Sequence, residues 1–229
     1  MIFDGKGFAG KIEERLRKSG KLAGKSLLIV GDEDNIYVRL KKKMGERLGV
    51  KVVVRSDLKE MGKFDGVLVQ LPVADESILE KIPVEKDVDG LNLVSRFWPA
   101  AVVAVEKVLE FAGLLGKSLR VGVVGSEGMV GKRLCQRLEE LGLEVAGFDK
   151  GDLLEGLVDC DVVVSATGQV ALIKVDMVKK GVVAIDLGFP KGDFDTQVAD
   201  KASLLTPVPG GVGPVTVVSL FENLARVEN

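Results

Sequence analysis

Histidine is absent from this chain. That excludes Ser–His–Asp triads, His-ligated zinc and imidazole acid–base chemistry, so any general acid or base is Lys, Asp, Glu, Tyr or Cys. Cysteine is nearly absent: Cys135 and Cys160 are the only two. They are too few for a disulfide framework and fit a reducing compartment. Neither sign of charge dominates, with 32 Lys and Arg against 34 Asp and Glu. The near balance argues against a partner such as nucleic acid, whose phosphates need a basic surface. Long apolar runs are missing too. Stretches such as 162–164 and 182–185 are far too short to cross a bilayer. The start, Met1-Ile2-Phe3-Asp4-Gly5-Lys6, has no basic segment leading into an apolar core, so no signal peptide is expected and the protein is read as soluble and cytoplasmic. What is present is 229 residues, 46% of them apolar, enough for a real core in one or two domains.

Val/Ile/Leu runs alternate with helical patterns. Strands are predicted at 26–31, 51–55, 66–70, 119–124, 144–148, 161–166 and 182–187, with a short last strand at 204–205. Helices are predicted at 37–48, 76–81, 99–115, 130–141, 175–180 and 215–226. Strands that are apolar throughout are buried on both faces, which means parallel sheets flanked by helices. The expected fold is α/β with two α/β domains. Residues 1–98, joined by the C-terminal helix 215–229, form the smaller one, and residues 99–214 form a Rossmann-type dinucleotide-binding domain. With no low-complexity linker between them, the halves are expected to pack closely and leave a cleft for ligand.

Several motifs carry chemistry. Gly125-Ser126-Glu127-Gly128-Met129-Val130-Gly131 follows a strand and opens a helix. Glycines there let backbone approach a pyrophosphate seated on the helix N-terminus. Asp149 ends the next strand, near the offset of roughly 20 residues at which an acid binds ribose hydroxyls and repels a 2′-phosphate. The plain alternative is that Asp149 or Asp152 caps a helix beginning near Leu153. Lys150 and Ser126 are able instead to receive a 2′-phosphate, which leaves the choice between NAD and NADP open. Tyr37, the only tyrosine, and Lys41 share one helix face; on its own, the run Lys41-Lys42-Lys43 reads as a solvated basic face. Gln70-Leu71-Pro72 sits at the carboxyl end of a strand, where open α/β sheets bind ligands. Lys86-Asp87-Val88-Asp89-Gly90 reads on its own as a turn whose Asp and Gly serve the backbone. Residues 206–216, Thr-Pro-Val-Pro-Gly-Gly-Val-Gly-Pro-Val-Thr, are expected to be neither helix nor central strand. They read as a rigid loop feeding a helix N-terminus, and so specified a loop points to function.

Together these segments resemble the methylenetetrahydrofolate dehydrogenase/methenyltetrahydrofolate cyclohydrolase family, over essentially the whole chain. Residues 66–72, 86–90 and 206–216 carry the likeness most specifically, and Tyr37-Val38-Arg39-Leu40-Lys41 is similar to the family's Tyr-Val-x-x-Lys. The resemblance implies a bifunctional enzyme that oxidises 5,10-methylenetetrahydrofolate with NAD or NADP and hydrolyses the methenyl product to 10-formyltetrahydrofolate. It implies that Lys41 works on the bridging carbon and nitrogen, Gln70 orients Lys41, Tyr37 packs on the folate rings and Asp89 binds pterin N–H groups. Pro72, Pro209, Gly210, Gly211 and Pro214 would contact folate, the 209–214 loop lining the cleft between folate and nicotinamide. The dinucleotide would meet Gly125, Ser126, Glu127, Gly128, Met129, Val130, Gly131, Asp149, Lys150, Ala166, Thr167, Gly168, Gly213 and Thr216. No metal is implied; a homodimer and a place in purine biosynthesis are.

The residue inventory suits that chemistry. A methylene carbon between two nitrogens gives up hydride readily, and the protein need only align donor and acceptor. Hydrolysis then needs proton shuffling, within reach of a lysine whose pKa is lowered by burial and a cationic substrate. This chain departs from the family pattern in places. It is shorter, with trimmed stretches at 55–65 and 90–99. The family's Pro-Cys-Thr-Pro stands here as Pro99-Ala100-Ala101-Val102, and its Pro-Ala-Ser is shortened to Glu33-Asp34-Asn35. Its Gly-Arg-Ser becomes Gly125-Ser126-Glu127, which removes an arginine that would meet a 2′-phosphate. A member with one activity only, or a non-catalytic dinucleotide-binding protein, are the alternative readings.

Overall fold

The computed structural model describes residues 1–228 and contains two parallel sheets, each in its own compact unit. One unit comprises Phe8–Ala100 with residues 216–228, the other Met1–Gly7 with Ala101–Val215. The chain passes between them within helices α1 (Gly5–Ser19), α3 (Ala100–Phe111) and α5 (Val212–Leu224).

The first unit holds β1 (Ser26–Val30), β2 (Lys51–Arg55) and β3 (Gly66–Val69), ordered β2-β1-β3 and all parallel. Helix α2 (Ile36–Leu48) crosses between β1 and β2 and buries Val38, Met44 and Leu48. These pack with Leu27, Ile29 and Leu68 of the sheet and with Val217, Leu220, Phe221 and Leu224 of α5. Gly45 lets α2 approach closely, since a Cβ there would lie 2.3 Å from Val52.

The second unit holds β4 (Arg120–Val124), β5 (Glu144–Phe148), β6 (Val162–Ser165), β7 (Val183–Asp186) and β8 (Leu204–Leu205). They form a parallel sheet ordered β5-β4-β6-β7-β8, with α4 (Met129–Glu140) between β4 and β5. Its core gathers Val124, Leu157, Val163, Ala184 and Val198. Continuous burial of β4, β6 and β7 is the reason their sequences are apolar without alternation.

The structure corrects the sequence reading in four places. The N-terminus belongs with the second unit: Ile2 bridges Leu205, the Phe3 N–H donates to Leu205 O at 2.9 Å and the Leu205 N–H to Met1 O at 2.9 Å. Helix α1 was not expected, because Gly5, Gly7 and Gly10 lower helix propensity; it forms by burying Ala9 and Ile12. Glu76–Lys81 is a 3₁₀ helix over the expected residues, whereas the helix expected at 175–180 is only the single 3₁₀ turn Val175–Met177. Finally, α5 begins at Val212, inside the stretch read as loop. Pro214 is tolerated there because first-turn N–H groups have no intrahelical partner. Among the described residues no helix is long and apolar enough to cross a membrane.

Candidate active site

The most chemically distinctive cluster lies in the first unit, at the carboxyl ends of β1 and β3. Asn35 caps α2, its Oδ1 accepting the N–H of Tyr37 at 2.8 Å and of Val38 at 3.4 Å. The cap fixes the register of the helix, and Lys41 follows Tyr37 on the same face one turn later. Of the three consecutive lysines only Lys41 is buried, its side chain 6% exposed. Lys42 reaches Glu33 at 3.1 Å, and Lys43 is exposed.

The Lys41 ammonium donates to Gln70 Oε1 at 2.9 Å and faces Asp89 Oδ2 at 3.8 Å. Gln70 follows β3; its N–H donates to Val30 O at 2.8 Å and its Nε2 to Leu71 O at 3.1 Å. That second bond turns the amide oxygen toward Lys41. Gly31, at the end of β1, clears room for Gln70, since a Cβ there would sit 2.9 Å from Gln70 Cβ. Pro72 is exposed, beyond the cis Leu71–Pro72 bond.

Asp89 is held by its neighbours. The buried Asp87 carboxylate accepts N–H groups of Gly90 (3.0 Å) and Asn92 (2.9 Å). Gly90 has φ +71°, and a Cβ on it would lie 2.6 Å from Phe97 O. Asn223 of α5 donates to Val88 O (3.0 Å) and Trp98 O (3.2 Å). The turn reading of 86–90 and the binding reading thus apply to adjacent residues: Asp87 serves the backbone and Asp89 faces Lys41.

The electrostatics follow from burial. Desolvation lowers the Lys41 pKa, partly opposed by Asp89. Burial raises the Tyr37 phenol further above neutrality, and raises the Asp87 carboxyl despite its N–H donors. A lysine with a lowered pKa, held at Nζ by a fixed amide and beside a carboxylate, is equipped to move protons.

The second unit carries the glycine turn. Gly125 has φ +85° and follows β4, with its N–H donating to Phe148 O at 2.7 Å. A Cβ on Gly131 would lie 1.9 Å from Gly125 O, so the first turn of α4 folds directly against the loop. Gly128 stands at the α4 N-cap position with no side-chain cap. This bare, close-fitting cradle of N–H groups at a helix start fits a pyrophosphate. Ser126 Oγ donates to Asp149 Oδ2 at 2.5 Å, and the Glu127 N–H donates to the same oxygen at 2.9 Å. Neither Asp149 nor Asp152 caps the following helix; instead the Asp149 N–H donates to Asp152 Oδ2 at 2.7 Å. Glu127 pairs with Lys132 at 3.2 Å, and Lys150 is exposed.

Ala166, Thr167 and Gly168 continue from β6. Their loop is organised by fully buried Asp193, whose Oδ2 accepts Ser165 Oγ (2.7 Å), Thr167 N–H (2.9 Å), Thr167 Oγ1 (2.9 Å) and Gly168 N–H (3.2 Å). Pro209, Gly210, Gly211, Gly213 and Pro214 lie in this second unit, whereas Thr216 lies in the first. Within one unit, therefore, Tyr37, Lys41, Gln70 and Asp89 come together, and the other members of the expected folate set except Pro72 are elsewhere. Sequence reasoning passed over Asn35, Gly31, Asn223 and Asp193. Asn35 carried a readable signal, an Asn directly before a helical pattern; Asn223 and Asp193 act across the fold and carried none.

Residues 99–229 match the family described as tetrahydrofolate dehydrogenase/cyclohydrolase, NAD(P)-binding domain. The chain is 33% identical to the bifunctional protein FolD of Lactobacillus acidophilus, over 99% of this chain and 96% of that relative. Their alignment runs over 272 positions against 229 residues here, so the relative carries segments this chain lacks. The crystal structure of the bifunctional enzyme FolD from Campylobacter jejuni superposes with a TM-score of 0.86 at 30% identity, covering 99% of this chain and 98% of the other. The FolD of Trypanosoma brucei, complexed with NADP cofactor and inhibitor, gives 0.86 at 28% identity, covering 98% and 95%.

Proposed function

The chain belongs to the tetrahydrofolate dehydrogenase/cyclohydrolase family, and from that premise we propose that Lys41, Tyr37, Gln70 and Asp89 form its catalytic centre. It is an enzyme of folate one-carbon metabolism. It oxidises 5,10-methylenetetrahydrofolate to 5,10-methenyltetrahydrofolate with a nicotinamide dinucleotide and hydrolyses that product to 10-formyltetrahydrofolate.

The observation that carries the residue assignment is the buried Lys41 ammonium, 2.9 Å from Gln70 and 3.8 Å from Asp89. Asp89 accepts hydrogen bonds from the pterin, and Tyr37 packs on its ring face. The nicotinamide, when bound, supplies the hydride acceptor. In the hydrolysis, water adds to the methenyl carbon, and neutral Lys41 takes the proton released as the C–O bond forms. As ammonium it returns a proton to the ring nitrogen when the C–N bond breaks, and one proton leaves to solvent overall. The lowered Lys41 pKa supports this cycle, because burial favours the neutral amine that accepts the proton. The residues 125–131 and 166–168 are the proposed dinucleotide contacts of this chain. Family membership supports three further proposals: a homodimer, a cytoplasmic location, and supply of formyl groups to purine biosynthesis.

The test follows each half-reaction by absorbance. Methylenetetrahydrofolate with NAD+ or NADP+ should yield reduced nicotinamide, and methenyltetrahydrofolate alone should be hydrolysed. Lys41→Met should lose hydrolysis while keeping its circular dichroism. A folded Lys41→Met with normal hydrolysis removes Lys41 from the mechanism.

A further inference from the structure

Ser126 and Asp149 admit two opposite uses. A serine hydroxyl and a loop N–H are good ligands for a ribose 2′-phosphate, whereas an acid at the end of the second strand of a Rossmann unit accepts the 2′-hydroxyl instead. The structure joins them. The Ser126 hydroxyl and the Glu127 N–H both donate to Asp149 Oδ2. Asp149 Oδ1 carries no hydrogen bond from the described residues. Ser126 is itself 8% exposed, and Gly147 on β5 reserves its place, since a Cβ there would lie 2.6 Å from Ser126 Oγ.

We propose that this chain selects NAD+ over NADP+, because the Asp149 carboxylate occupies from within the fold the anion subsite that a 2′-phosphate requires. The inference rests on the reading of residues 125–131 as the dinucleotide turn. Both donors that would grip the phosphate are already bonded to an internal anion. The free Asp149 oxygen remains to accept a ribose hydroxyl. The Glu127 carboxylate adds a second negative charge, and the nearby Lys132 is committed to it at 3.2 Å. Lys150, which follows Asp149 in sequence, is exposed. The same negative charges act on the nearby Cys135 thiol, which is pushed up to about 11, first by burial and then by Glu139, Asp149 and Glu127.

Isothermal titration calorimetry on the full chain, with NAD+ and NADP+ separately, decides the matter without turnover. NAD+ should bind at least about tenfold tighter, which is about 1.4 kcal/mol. The same order should hold for ADP-ribose against 2′-phospho-ADP-ribose. NADP+ binding as tightly as NAD+ would overturn the selectivity while leaving the dinucleotide site intact. Binding of neither would overturn the dinucleotide reading and the selectivity with it. Asp149→Ser removes the charge and releases both donors, so the NAD+/NADP+ ratio should swing toward NADP+ by tenfold or more. A folded Asp149→Ser with an unchanged ratio assigns selectivity elsewhere and overturns the role of Asp149. Glu127→Gln, exposed and remote from the core, should move the ratio the same way by a few-fold even if Asp149→Ser does not fold.

Discussion

The two proposed binding regions are built by opposite means. Around Lys41 the chemistry is in side chains: an ammonium, an amide and a carboxylate, each fixed by a hydrogen bond or by burial. Around Gly125 it is in the backbone, where the absence of side chains at 125 and 131 makes the shape. Side-chain sites fail by losing a functional group and keep their fold. Backbone sites fail by gaining an atom, and the fold suffers with them. Substitutions in the two regions should therefore separate activity from stability in opposite directions.

The largest effect is expected at Lys41. Lys41→Met removes the proton carrier and should lower hydrolysis by roughly 10²–10⁴-fold, with dinucleotide affinity by calorimetry unchanged. An effect on dinucleotide affinity as large as that on hydrolysis would mean that the side-chain site and the glycine turn act as one unit. The pH dependence sharpens it. The Lys41 pKa is lowered by burial, so hydrolysis should rise with pH through a value below that of ordinary lysine as the neutral amine forms. Stability has a definite sign as well. Between the folded and the higher unfolded pKa the unfolded chain binds more protons, so wild type should gain stability relative to Lys41→Met as pH rises. Denaturant titrations of both proteins across the alkaline range measure this. A difference that stays flat or falls with pH would mean that Lys41 is not desolvated.

The backbone region predicts the converse. Gly131→Ala would normally favour a helix interior by roughly 1 kcal/mol. Here the new Cβ would meet Gly125 O at 1.9 Å, a backbone atom with no freedom to swing aside. It should destabilise the chain by about 1–3 kcal/mol and abolish dinucleotide binding, read by urea midpoint and calorimetry. Gly10→Ala in α1, with nothing within 4 Å, is the control and should stabilise by about 0.5–1 kcal/mol. If the two alanines behave alike, helix propensity rather than close approach governs Gly131.

The same contrast explains what was legible in the sequence. The strands were readable because burial on both faces leaves continuous Val/Ile/Leu runs, as in 121–124 and 162–164. The glycine turn was readable because a backbone site has few residue types to choose from. Helix α1 was not, since its three early glycines oppose propensity and only tertiary burial of Ala9 and Ile12 overrides it. Nor does composition distinguish Lys41 from Lys42 and Lys43. That distinction came from the motif the segment resembles, and its physical basis is the burial of one lysine against Gln70. The partners that hold the loops, Asp193 under Thr167 and Asn223 under Val88, lie 26 and 135 residues away in sequence. No local pattern encodes such pairs.

The smallest effect tests whether the side-chain region depends on its scaffold at all. Asn35 touches none of the proposed folate contacts with its side chain except through the Tyr37 N–H, which it accepts at 2.8 Å. Asn35→Ala removes the cap and should cost roughly 0.5–2 kcal/mol of stability. The loss falls on the first turn of α2, so Tyr37 should loosen before Lys41, which is buried one turn further in and held by Gln70. KM for the methenyl substrate should rise a few-fold, while kcat, which depends on Lys41, changes less. Asn35→Asp keeps the acceptor and should restore KM. A fall in kcat with KM unchanged would show that the cap supports Lys41 itself, and the side-chain site would then be as dependent on local backbone as the glycine turn.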